Sequence, residues 1–185
     1  MKNVSNELEE GIIYLEKSTL QTTLLQMIEL TTKKKKGSCL SIYSSNITVS
    51  FSNFSKYNYN CLFGIDSSVE LSNCIFNNSE FIRQNNIINN YGGIYCLSCV
   101  NVTILNSKFL KNLQILKGSA IYISGGKNEG LEEIKIENCI FLENEALEEG
   151  TLYIYNQDIS IHKSNFTNNS AKRGGALFFN NEGIF

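Results

Sequence analysis

Phe166-Thr167-Asn168-Asn169-Ser170-Ala171, followed by Gly174-Gly175-Ala176-Leu177-Phe178-Phe179, is the stretch that decides the fold. A Phe-x-x-Asn turn precedes a Gly-Gly-Ala strand start. The same order recurs upstream in degraded form. Phe141-x-x-Asn144-x-Ala146 leads to Gly150-Thr151-Leu152-Tyr153-Ile154, and Phe109-x-x-Asn112 leads to Gly118-Ser119-Ala120-Ile121-Tyr122-Ile123. A unit this short cannot bury its own apolar face, so it must stack on its neighbours.

Working outward, each Phe is preceded by a stretch of period two: Ile159-x-Ile161, Ile134-x-Ile136, Val102-x-Ile104, Val69-x-Leu71 and Ile47-x-Val49. Successive Phe anchors lie 22 to 33 residues apart, and the variation sits in polar stretches such as Glu80 through Asn90 and Gly125 to Gly130. No Asn-Gly hairpin signal separates the strands. The pattern predicts an all-β, parallel β-solenoid of about six to seven coils in one domain over 1–185. Residues 1–10 read as a frayed start and 37–185 as repeat coils. Residues 11–36 are a first coil or an end cap. The step from Gly11 to Gly37 equals that from Gly92 to Gly118, which favours a coil, while Ser18-x-x-Gln21 is a capping box for a helix over 18–32. Lys33-Lys34-Lys35-Lys36 reads as a solvated loop.

Strands of successive coils lie about 4.8 Å apart, so like positions form columns. Phe54, Phe76, Phe109, Phe141 and Phe166 fall in an aromatic core column, and Asn73, Asn106 and Asn138 in a column at a turn. Stacked Asn side chains can bond one another and the turn backbone. The glycines Gly92, Gly93, Gly118, Gly150, Gly174 and Gly175 mark tight corners that call for positive φ. Cysteines obey the columns: Cys74, Ser107, Cys139 and Ser164 are equivalent, as are Cys39, Cys61, Ala120 and Ala176. Both read as small-residue slots holding buried thiols. A Cys39–Cys61 bridge is the alternative, allowed by adjacent-coil spacing. Cys96-x-x-Cys99 has no second pair and no nearby His, so it lacks a zinc ligand set.

Net charge is −2, without the basic face of a nucleic-acid binder. The chain holds two Asp, Asp66 and Asp158, and two Arg, Arg83 and Arg173, a thin supply for hydrolytic or phosphate chemistry. No stretch reaches the roughly 18 apolar residues of a membrane span, and the acidic start lacks a signal peptide's apolar segment. Asn-x-Ser/Thr sequons stand at Asn3, Asn46, Asn53, Asn77, Asn101, Asn165 and Asn168. In a chain this rich in Asn, Ser and Thr they also serve as turn formers.

Gly174-Gly175-Ala176-Leu177 with Phe166-x-x-Asn169 resembles the GGA[ILV] and FxxN repeats of polymorphic outer-membrane proteins. More broadly, the chain is similar to the right-handed parallel β-helices of the pectin-lyase-like superfamily. The resemblance is strong over 102–179 and recognisable from 37. It implies a surface-displayed or extracellular solenoid, usually part of a longer protein with its own signal and anchor.

The function expected is a non-catalytic module for adhesion, protein or glycan binding, or scaffolding, without a cofactor or metal. The alternative is a polysaccharide-degrading enzyme of the pectate lyase or polygalacturonase kind. A glycosidase needs two carboxylates about 5 to 9.5 Å apart. Glu132, Glu133 and Glu137 surround one strand, with no Arg or Lys placed beside them in a motif. His162, the only histidine, reads as a surface residue. The last motif lies one strand from residue 185, so the expectation is further coils or a partner on that end.

Overall fold

The computed structural model describes residues 5–6, 12–32, 38–57, 60–79, 92–114, 116–125 and 134–180. Among the described residues there is no helix; the chain winds through three parallel sheets as a β-solenoid. The first sheet has seven strands: Ile13–Glu16, Leu40–Tyr43, Leu62–Ile65, Ile94–Leu97, Ile121–Ser124, Leu152–Tyr155 and Leu177–Asn180. The second has six: Thr19–Thr23, Asn46–Ser50, Ser68–Ser72, Asn101–Leu105, Ile134–Glu137 and Ile159–His162. The third has seven: Ser5–Asn6, Gln26–Thr32, Asn53–Tyr57, Ile75–Asn77, Lys108–Leu110, Ile140–Leu142 and Asn165–Thr167. Leu113–Gln114 and Glu145–Ala146 add a short two-stranded ribbon. Residues 18–32 therefore form strands of a first coil.

Along the strands side chains alternate between the core and the outside. The inward set makes one continuous core, from Met27 through Phe54, Ile104 and Ile136 to Ile154. Phe54, Phe76, Phe109, Phe141 and Phe166 are register partners. Their rings stack at 5.0, 4.9, 5.0 and 4.4 Å between centroids. Such pairs each add about 0.5–1.5 kcal/mol beyond the area they bury.

The corners explain the rest of the sequence. At the first corner Lys17, Ser44, Asp66, Ser98 and Asn156 have positive φ; at the second, Leu24, Phe51, Asn73, Asn106, Asn138 and Lys163 do. Asn tolerates this conformation because its short side chain satisfies local polar groups. Asn138 Nδ2 also donates to Asn106 Oδ1 at 2.6 Å.

At most of these corners the residue after the left-handed one is a Ser or Cys that relays hydrogen bonds. Ser45 Oγ donates to the Tyr43 carbonyl at 2.7 Å and accepts from the Ser18 amide at 3.0 Å. Ser107 Oγ donates to the Leu105 carbonyl at 2.8 Å and accepts from the Cys74 amide at 3.1 Å. Cys74 and Cys139 occupy this seat too, their thiols donating to the Ser72 and Glu137 carbonyls, both at 3.3 Å. The column is thus a hydrogen-bond relay as well as a place for small residues.

The third corner carries the Asn of the Phe-x-x-Asn motif. Asn144 Oδ1 accepts from the Asn112 amide (3.0 Å) and side chain (2.9 Å), and Asn144 Nδ2 donates to the Phe109 carbonyl (2.9 Å) and to Asn169 Oδ1 (3.0 Å). Asn112 and Asn144 are fully buried. At the first end of this ladder Tyr57 Oη donates to Asn112 Oδ1 at 2.6 Å, reaching past the third coil, where the equivalent residue is the small Ser79.

Positive φ falls at Gly118, Gly150 and Gly174, whereas Gly92, Gly93 and Gly175 do not have it. Gly92 is required for a different reason: a Cβ there would collide with the Ser119 carbonyl of the next coil. Asn3, the lysine run 33–36, the polar loops at 80–90 and 126–130, Glu132 and Glu133 lie outside the described residues.

Candidate interaction surface

The second residue of each strand in the first sheet points outward, and in six of the seven strands it is aromatic: Tyr14, Phe63, Tyr95, Tyr122, Tyr153 and Phe178. The exception is Ser41, and Tyr43, two residues along the same face, fills the gap. Centroid distances run 5.4 Å (Tyr14–Tyr43), 5.8 Å (Tyr43–Phe63), 5.4 Å (Phe63–Tyr95), 4.8 Å (Tyr95–Tyr122), 4.9 Å (Tyr122–Tyr153) and 5.3 Å (Tyr153–Phe178). The rings form one stripe along the solenoid axis. Tyr14, at its end, is 41% exposed, while Tyr95 and Tyr153 are buried. The sequence carries this signal as an aromatic at a fixed offset in six of the seven strands, beside the stronger signal of the core Phe column.

A charge column flanks the stripe. Lys117, Glu149 and Arg173 are bridged in parallel on successive coils. The Glu149 carboxylate is 3% exposed; Lys117 Nζ lies 2.7 Å from its Oε2, an ion pair outside aligned hydrogen-bond geometry, and Arg173 pairs with Oε1. Lys117 Nζ sits 4.7 Å over the Tyr153 ring and donates to its hydroxyl at 3.3 Å, and the Arg173 guanidinium sits 5.3 Å over Phe178. The two cations thus cover the stripe while Glu149 balances one of them.

The second sheet presents flat polar columns. Gln21, Thr48, Glu70, Thr103, Lys135 and Ser160 form one. Beside it, Glu137 and His162 are register partners. The sequence reading finds no base placed with Glu137; the structure puts Lys135 Nζ 3.0 Å from its Oε2, because residues two apart on a strand share a face. Lys135, by its hydrogen bond and charge, and to a lesser degree Lys163 and His162, hold this carboxyl below its usual range. Glu70 stands on the same face two coils away, about 10 Å along the axis by strand spacing. Asp66 occupies a first corner and Asp158 precedes a second-sheet strand, in different coils.

All six cysteines are buried thiols. Cys39 and Cys61 are unbridged: parallel in-register neighbours send both side chains in the same direction, so the thiols lie alongside rather than closing at the near-90° dihedral a disulfide takes. Burial, then the Cys39 contact, pushes the Cys61 thiol well up. Among the sequons, Asn46, Asn101, Asn165 and Asn168 are exposed, and Asn53 and Asn77 are half-buried. Among the described residues no three His, Cys, Asp or Glu side chains converge on a metal position, and no helix is long and apolar enough to cross a membrane.

Neither curated proteins nor solved structures give a match to the chain. The family described as "Right handed beta helix region" matches residues 10–184, nearly the whole length, in agreement with the stacked parallel coils. The chain belongs to the right-handed β-helix family.

Proposed function

We propose that this chain is a non-catalytic binding module that holds an extended protein or glycan ligand along its first sheet. The observation that carries this reading is the outward aromatic stripe from Tyr14 to Phe178. Its rings repeat once per coil, and Tyr14, Tyr43, Phe63, Tyr122 and Phe178 keep surface open to an extended polymer, while buried Tyr95 and Tyr153 support their neighbours. Aromatic edges and hydroxyls serve both sugars and extended peptides. The resemblance to repeats of outer-membrane proteins supports a surface-displayed or secreted setting, and the four exposed sequons suit it.

The test is an array of glycans and of cell-surface proteins probed with the chain and with Tyr122→Ala. Tyr122 is half-buried and outward, so the fold persists and binding falls at least fivefold. A chain that retains no ligand on either array, or a variant that binds equally well, defeats the reading.

The Glu137–Lys135–His162 grouping favours a second reading, polysaccharide cleavage. Incubation with pectins and alginates checks it: unsaturated or reducing ends, lost in Glu137→Gln, would replace the binding-module reading.

A further inference from the structure

The six thiols fall into three settings. Cys74 and Cys139 donate to backbone carbonyls, from the seat that serine fills in other coils. Cys39 and Cys61 lie side by side in one column. Cys96 and Cys99 are different from both. They stand at the two ends of a single corner, and Ser98 between them has φ 49°, which turns the chain so that both side chains point inward. Gly64, the register partner of Cys96 in the preceding coil, faces the same part of the core. Gly64 of the preceding coil keeps the place open, since a Cβ there would lie 3.2 Å from Cys99 Sγ.

We propose that Cys96 and Cys99 are a disulfide-forming pair, closed across this corner when the chain folds in an oxidising thiol buffer. Cys96 and Cys99 flank one corner of a single coil, whereas Cys39 and Cys61 stand on two coils at equivalent positions. With glutathione disulfide as oxidant the step balances. One protein thiolate attacks a glutathione sulfur and releases one glutathione; the second thiolate attacks the mixed disulfide and releases the other. Two thiol protons and two electrons leave the protein, and two glutathione thiols form. Both cysteines are buried, and contact with Cys99 and burial push the Cys96 thiol well up, so closure belongs to folding, while the corner is still open to solvent.

The experiment uses the full chain, reduced, denatured and refolded in a glutathione redox buffer, with recovery of β structure followed by circular dichroism. Free thiols are alkylated and the tryptic peptide spanning 84–108, which holds both cysteines, is weighed. The proposal expects that peptide unalkylated and about 2 Da below its reduced mass, with Cys74 and Cys139 alkylated. The same mapping is done on chain secreted from a eukaryotic host, so that poor refolding leaves a second route. Alkylation of both Cys96 and Cys99 in both preparations, or a bridge from either to another cysteine, overturns it.

Discussion

Phe51 shows how a single residue can oppose its site. It sits in left-handed backbone with φ 50°, and 60% of it is exposed; Leu24 beside it has φ 55° and is 76% exposed. The next three coils place Asn73, Asn106 and Asn138 there. A left-handed conformation costs an ordinary residue roughly 1–2 kcal/mol, and Asn much less. Phe51→Asn is therefore expected to raise stability by about 1 kcal/mol, read as a higher urea midpoint at unchanged slope. Asn144 is the opposite case, a residue whose bonds are all used. Asn144→Ala strips the Phe109 carbonyl and the Asn112 amide of their partners. Unmet buried groups cost about 1–3 kcal/mol each, so a loss of about 3 kcal/mol is expected in the same urea assay. The sequence displayed both sets of Asn, at the turn and in the Phe-x-x-Asn motif. It did not show which Asn column was buried, because Asn at a left-handed exposed corner and Asn in a buried ladder leave the same letter.

At the scale of the corner, the Cys and Ser columns were legible in position and as small-residue slots with buried thiols, but not as hydrogen-bond relays. Cys39, Cys61, Ala120 and Ala176 share a slot that accepts Ala, which needs only smallness. Cys74, Ser107, Cys139 and Ser164 share one in which no Ala occurs, and each of these four donates to a carbonyl two residues back. That absence was the available signal. Cys74→Ser is expected to change stability by less than about 0.5 kcal/mol, and Cys74→Val, which removes the donor, to cost about 1–2 kcal/mol; thermal melts of the two variants separate these. The outward aromatic stripe was harder to see because one coil breaks it: Ser41 holds the register position and Tyr43 supplies the ring. Neighbour repair of that kind is visible only once the strands are side by side.

For the molecule as a whole, the fold was the most legible part, because a parallel stack repeats its own pattern and each repeat is a fresh reading of the same columns. The site was less legible because binding residues need only face outward, and many patterns do. Cohesion along the stack is uneven. Inward residues of the second to fifth coils are essentially inaccessible, whereas Ile159, Ile161, Phe166 and Leu177 are half-buried and Phe179 is 47% exposed. In a nearest-neighbour stack, amides of Ile159–His162 and Ile13–Glu16 are expected to exchange with solvent faster than those of Asn101–Leu105, in a gradient measurable by hydrogen exchange; uniform exchange along the axis would contradict it. The Tyr57–Asn112 bond interrupts that gradient. It spans from the second coil to the fourth, with Ser79 small enough to be passed and Gly93 leaving the hydroxyl room, a Cβ there lying 3.1 Å from it. Pulled from its ends, a plain solenoid peels one turn at a time. This one carries a brace over three turns, so a force trace should show them giving way together, in one rip longer than its neighbours.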